Sequence, residues 1–141
     1  MKKTLALTLT LALVLSLTAC GKDGNSGEDK KSEGVMTHDE YMAVAIDSEV
    51  VIETYVQAKQ SWWEDKATLY TQDKDGAYFV YNAVCSEADY AKLTPGTKIK
   101  VTGYKTEWSG EVEVAEGAAI EIQDGNYVAP VTDVTDLLGK D

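Results

Sequence analysis

The sequence predicts an all-β chain with two short helices, its strands gathered into one small barrel. Three observations carry this. Runs rich in Val, Ile, Thr and Tyr alternate apolar with polar residues. Gly-containing turns stand between those runs at hairpin spacing. Two helix-start patterns place a Ser or Thr three residues before an acid.

In chain order, Thr37-His38-Asp39-Glu40 has the spacing of a capping box and is followed by Tyr41, Met42, Val44 and Ala45, which predicts a helix over 38–46. His38 falls in its first turn beside two acids and reads as an exposed helix-start residue rather than a catalytic base. Glu49 to Gln60 predicts a long first strand, with Val50, Ile52, Thr54, Val56 and Ala58 on one face and Val51, Glu53, Tyr55, Gln57 and Lys59 on the other. Strands two and three, Ala67 to Gln72 and Ala77 to Asn82, flank Asp73-Lys74-Asp75-Gly76, whose Asp-Gly pair is expected to supply the positive-φ positions of a hairpin turn. Ser86 with Asp89 starts a second short helix over 86–93, which Thr94-Pro95-Gly96 stops. Thr97 to Thr106 is strand four, alternating Ile99, Val101 and Gly103 against Lys98, Lys100 and Thr102. After Ser109-Gly110, Glu111 to Ala115 and Ala118 to Gln123 form a broken strand five, with Gly117 as its kink or bulge. The tail from Asp124 to Asp141 has no clear pattern; Leu137 and Leu138 are expected to cover one barrel opening.

The order of long strand, two-stranded hairpin, short helix and second hairpin resembles the oligonucleotide/oligosaccharide-binding (OB) fold, a five-stranded Greek-key barrel. The resemblance rests on VVIETYVQAKQ, ATLYTQDKDGAYFVYN, the helix before LTPGTKIKVTGY, and GEVEVAEGAAIEI, and covers about residues 47 to 123. Pro95 to Gly103 is similar to the family's approach to strand four. The match is one of pattern and order, and an SH3-like barrel is the alternative it leaves open. The chain is also similar to small bacterial OB-fold lipoproteins without an assigned activity, so this resemblance implies location and no chemistry.

The location is written at the start. Met-Lys-Lys, an apolar run from Leu5 to Leu17, and Thr18-Ala19-Cys20 read as a secretory signal over 1–19. The run is shorter than the roughly 20 residues that cross a bilayer as a helix. Leu17-Thr18-Ala19-Cys20 resembles the bacterial lipobox, which implies that Cys20 is acylated and becomes the first mature residue. Two or three acyl chains would hold the protein on the outer side of the cell membrane. Gly21 to Gly34 has no apolar side chain and reads as a flexible tether with a span on the order of 20 Å. The domain proper is then expected over 35–141, with the barrel near 47–123 and an extension over 124–141.

Composition narrows the function. The chain has 44% apolar and 26% charged residues, which excludes disorder along its whole length. Its 13 basic residues are all Lys, against 24 acids, for a net charge of -11. Loss of residues 1–19 removes Lys2 and Lys3, leaving 11 Lys against the same 24 acids, a charge of -13. Such a body repels a polyanion, which disfavours nucleic acid as a partner. One His and two Cys exclude a His- or Cys-rich metal centre.

No nucleophile has a base at hand, and no phosphate loop or His-Glu-x-x-His motif is present. The pairs Asp73/Asp75 and Glu111/Glu113 read as solvated surface, although paired carboxylates are also the equipment of a hydrolase. Asp73-x-Asp75-Gly76 echoes an EF-hand loop, but the twelfth position is Val84 rather than Glu, leaving at most a weak Ca²⁺ site on an acidic surface. Cys85 is the one thiol left once Cys20 is acylated and reads as buried and inert. No catalytic residue, metal or cofactor is assigned.

The aromatics say more. Trp62 and Trp63 follow strand one and Trp108 ends strand four; in OB folds these two loops border the ligand face. With Tyr55, Tyr70 and Tyr104 they either form a stacking platform for a sugar or plug the barrel ends as core. Three functions follow: a non-enzymatic module binding a saccharide, cell-wall fragment or peptide, with accessible Trp; an accessory subunit binding an envelope protein, with buried Trp; and a carboxylate hydrolase, with a cleft holding one carboxyl of raised pKa. They rank in that order.

Overall fold

The structure, a computed structural model, describes residues 30–140. The signal expected over 1–19, Cys20 and residues 21–29 of the expected tether lie outside the described residues. Among the described residues no helix is long and apolar enough to cross a membrane.

The chain runs α1 (His38–Ala43), β1 (Glu49–Lys59), β2 (Lys66–Gln72), β3 (Ala77–Val84), α2 (Glu87–Tyr90), β4 (Thr97–Trp108), β5 (Glu111–Val114) and β6 (Ala119–Asn126), with a final 3₁₀ turn at Thr135–Leu137. β1 pairs with β2 and β4, β2 with β3, β4 with β5, and a parallel β3–β5 pairing closes five strands into a barrel. This is an OB-fold-like barrel. β6 continues past the closure, antiparallel to the first half of β4.

β1 reaches two neighbours by dividing its length. Glu49 to Tyr55 pair with β4, Tyr55 to Lys59 with β2, and a register shift lies between Val56 and Ala58. A bulge there bends the strand and increases its twist, as a closed barrel requires. The inward face of β1 is Val50, Ile52, Thr54 and Val56, as the alternation implies, while Ala58 beyond the bulge is exposed. The core joins these to Leu69, Val80, Ile99, Val101 and Val114, with Tyr41 of α1 and Leu93 after α2 also buried. Gly103 is required at its inward position, because a Cβ would stand 2.8 Å from Ala118 Cβ and 2.9 Å from Val114 Cγ1.

Both capping patterns form. Thr37 Oγ1 accepts from the Glu40 amide and the Glu40 carboxylate accepts from the Thr37 amide, and Ser86 Oγ accepts from the Asp89 amide. Each helix is shorter than expected. α1 stops at Ala43 because the buried Lys105 ammonium, reaching across from β4, takes the carbonyls of Met42 and Val44 at 2.8 Å each. That places a cation at the negative end of a helix.

Four expectations are corrected. Asp75 and Gly76 do not adopt positive φ. Asp73 Oδ1 instead accepts from the amides of both Asp75 and Gly76 at 2.8 Å, and Gly76 is needed because the His38 ring lies against it, 2.2 Å from where a Cβ would be. Asp73 is not solvated surface: it is fully buried, bonded to the Tyr78 hydroxyl at 2.9 Å and paired with Lys31. The tether surrenders its last residues to the fold, since Lys31 also donates to Glu53 O and the Ser32 amide to the Glu53 carboxylate. Leu137 and Leu138 cover nothing. Leu138 is 76% exposed, and the tail is fastened only as far as Ala129, where the Gln57 amide brackets Tyr127 O and Ala129 N.

The break in strand five is real, with Gly117 at φ +89° between β5 and β6. A second irregularity is at Asn82, whose φ of +45° interrupts β3 and whose amide and side chain both bond to the Thr68 hydroxyl.

Candidate binding site

Strand alternation selects the outer face. In β3, Tyr78 and Val80 point into the core and leave Phe79 and Tyr81 outside; in β5, Val112 and Val114 turn inward and leave Glu111 and Glu113 outside. Pairing brings these together. Phe79 stands beside Glu113 in the parallel β3–β5 ladder, and Trp108 faces Glu111 across the β4–β5 hairpin. The turn of that hairpin is Ser109-Gly110, with φ of +51° and +89°. Positive φ at both central residues is the two-residue turn whose twist matches that of the strands.

Phe79, Tyr81, Trp108, Glu111 and Glu113 line a cleft of about 360 Å³. Tyr70, paired with Phe79 across β2–β3, stacks on it with ring centres 5.2 Å apart and planes 28° from parallel, and Phe79 lies 6.4 Å from Tyr81. The Tyr70 hydroxyl accepts from the Gln60 amide at 2.8 Å. Trp108 is 75% exposed.

Glu113 is the unusual member. Only 8% of it is accessible, and no donor or cation stands against its carboxylate among the described residues. Burial, and then the charge of Glu111, push its carboxyl above the ordinary value. The reading of Glu111/Glu113 as ordinary solvated surface therefore fails for Glu113.

The other expected aromatics are placed elsewhere. Trp62 is half-buried, its indole N–H donating to Cys85 O at 2.9 Å. Trp63 is exposed and carries the Lys66 ammonium 5.0 Å from its ring centre. Tyr55 packs edge-on against Tyr127 and borders a small recess with Lys30, Lys31, Glu53 and Lys98. Tyr104 is exposed on β4 and does not line the cleft. Of the six residues, the structure brings Trp108 and Tyr70 to one face and adds Phe79, Tyr81 and Glu113. Alternation in AYFVYNAV was the signal that could have exposed Phe79 and Tyr81.

Elsewhere, His38 is packed edge-on to Tyr78, with ring centres 5.1 Å apart. Cys85 is free and buried, and burial followed by the Asp89 charge raises its thiol pKa. Among the described residues no group of three or more His, Cys, Asp or Glu could hold a metal ion.

No family model matches the sequence, and no curated protein matches it. Among solved structures, the chain is similar to the crystal structure of the p204 HINb domain, with a TM-score of 0.50 and 13% identity. The likeness covers 63% of this chain and 47% of the other, so this chain spans about half of that protein's length. At that identity it speaks for the fold alone.

Proposed function

We propose that the protein is a non-enzymatic binding module, held on the outer side of the cell membrane through acylated Cys20. Its aromatic cleft takes a small neutral or cationic ligand: a saccharide, a cell-wall fragment or a peptide. The observation that carries this is the exposed Trp108 beside Phe79 and Tyr81 in an open cleft. A plug would be buried, whereas an indole left in water over a concave aromatic face suits stacking. The anchor rests on the lipobox resemblance at 17–20 and on the span of chain between Cys20 and Lys31.

Nucleic acid is disfavoured as ligand because no cleft residue is basic and two are acids. A second reading has its own support: a carboxyl of raised pKa in a cleft is what a carboxylate hydrolase needs. Glu111 and Glu113, however, are neighbours on one face of one strand, about 7 Å apart along it. A hydrolase sets its two carboxyls on either side of the scissile bond. The third reading, an accessory subunit binding an envelope protein, calls for buried Trp, and the exposure of Trp108 counts against it.

The test is Trp fluorescence of the full chain titrated with tri-N-acetylchitotriose, a lysyl peptide, a single-stranded oligonucleotide and Ca²⁺. A saturable change with the saccharide or peptide, lost in Trp108→Phe, supports the module. A response to the oligonucleotide alone overturns the charge argument. Turnover of the saccharide, abolished by Glu113→Gln, moves the hydrolase first. Metabolic acyl labelling that Cys20→Ala abolishes supports the anchor.

A further inference from the structure

The geometry points to an ammonium site: the cleft between β3 and the β4–β5 hairpin binds a primary or quaternary ammonium group over Phe79, Tyr81 and Trp108, with Glu111 and Glu113 as counter-charges. This rests on the binding-module reading and names its ligand class.

Three aromatic side chains and two carboxylates line the same hollow, with no basic residue in its lining. Glu113 is more than nine-tenths buried and, among the described residues, meets neither donor nor cation. A neutral sugar seated here would desolvate both carboxylates further and leave their mutual repulsion intact. An ammonium removes both penalties and adds attraction to the ring faces.

The chain treats its own ammonium groups this way. The Lys59 ammonium stands 3.6 Å from the centre of the Tyr90 ring and that of Lys66 stands 5.0 Å from the Trp63 ring. In the cleft the rings are present and none of the described lining residues supplies a cation. A hollow of about 360 Å³ lies at the small end of ligand sites, which suits a charged head group better than a whole oligosaccharide.

The test uses the full chain in detergent and follows the Trp108 indole N–H resonance, assigned by its loss in Trp108→Phe. Two ammonium probes are titrated beside neutral isosteres: choline against 3,3-dimethylbutanol, and acetyl-Gly-Lys-Gly-amide against its norleucine analogue. Tri-N-acetylchitotriose is the neutral saccharide. Saturable shifts are expected with an ammonium probe, weakening by about tenfold or more for its isostere and to a similar degree in Glu113→Gln. Response to choline but not the peptide identifies a small quaternary amine; the reverse identifies a lysyl side chain. Either supports the site.

Glu113→Gln is expected to melt no lower than the parent, so loss of binding is not loss of fold; Tyr81→Ala gives a second, independent loss. Equal response to the neutral isosteres or to tri-N-acetylchitotriose overturns the ammonium assignment and leaves the binding module standing. A Trp108 resonance that none of the five probes moves overturns both.

Discussion

Lys31 and Asp73 form a buried ion pair, ammonium to carboxylate at 2.5 Å, between the segment before α1 and the turn joining β2 to β3. Burial alone would raise the Asp73 carboxyl, but the Lys31 ammonium, the amides of Gly76 and Asp75 and the Tyr78 hydroxyl together hold it below the ordinary range.

A carboxyl depressed in the folded state contributes stability above its unfolded pKa, near 4, and that contribution is lost as pH falls through the folded value. The melting temperature of the parent is therefore expected to fall below about pH 4 more steeply than that of Asp73→Asn. At neutral pH, Lys31→Ala is expected to cost about 3 kcal/mol, since it strands a buried carboxylate. Thermal melts across pH 2–7 check both; equal acid slopes in parent and Asp73→Asn would refute the first.

Gly76→Ala drives a methyl into the His38 ring. The expected loss is about 1–3 kcal/mol, as for other overpacked sites. Because the obstacle is a side chain, His38→Ala should recover most of it, and a double-mutant cycle by urea denaturation would show coupling of at least 1 kcal/mol. Additive effects would mean that the turn backbone, not His38, sets the need for glycine.

Acrylamide should distinguish the three indoles. Trp108 is the most open, Trp63 is partly screened by Lys66, and Trp62 is tied to Cys85 O. Trp108→Phe is expected to remove the most strongly quenched component, while Trp62→Phe leaves it unchanged. The reverse outcome would place Trp108 against a surface.

Cys85 should resist alkylation in the native protein at pH 8 and react fully in guanidinium, because burial and the nearby Asp89 both oppose its thiolate. Rapid native labelling by iodoacetamide would contradict its burial.

Much of this architecture could be read from the sequence because it is local. Alternation located the inward residues of β1 and β4, and the Thr37/Glu40 and Ser86/Asp89 patterns located both helices. Features that depend on distant segments stayed hidden. The Asp75-Gly76 pair speaks for backbone conformation, whereas what requires glycine is His38, and Lys31 lies in a stretch with no apolar residue to mark it as part of the fold. The cleft was legible by halves. Trp108 and Glu111 flank a recognisable turn, but Phe79 meets Glu113 only through a parallel pairing of strands separated by α2 and β4. Burial of a glutamate on an outward face follows from that meeting, and no residue near Glu113 in sequence announces it.

The position of Lys31 also decides how the domain bears load. Any pull on the chain upstream of residue 30 arrives first at the Lys31–Asp73 pair, whose ammonium also holds Glu53 O of β1. That pair grips the tip of the β2–β3 hairpin, whose stem carries Tyr70 and Phe79. Tension therefore enters at the end of a hairpin and at one point on β1 together, rather than along a whole ladder. In a single-molecule pulling experiment from the N-terminus, Lys31→Ala should lower the force of the first opening and leave later events unaltered.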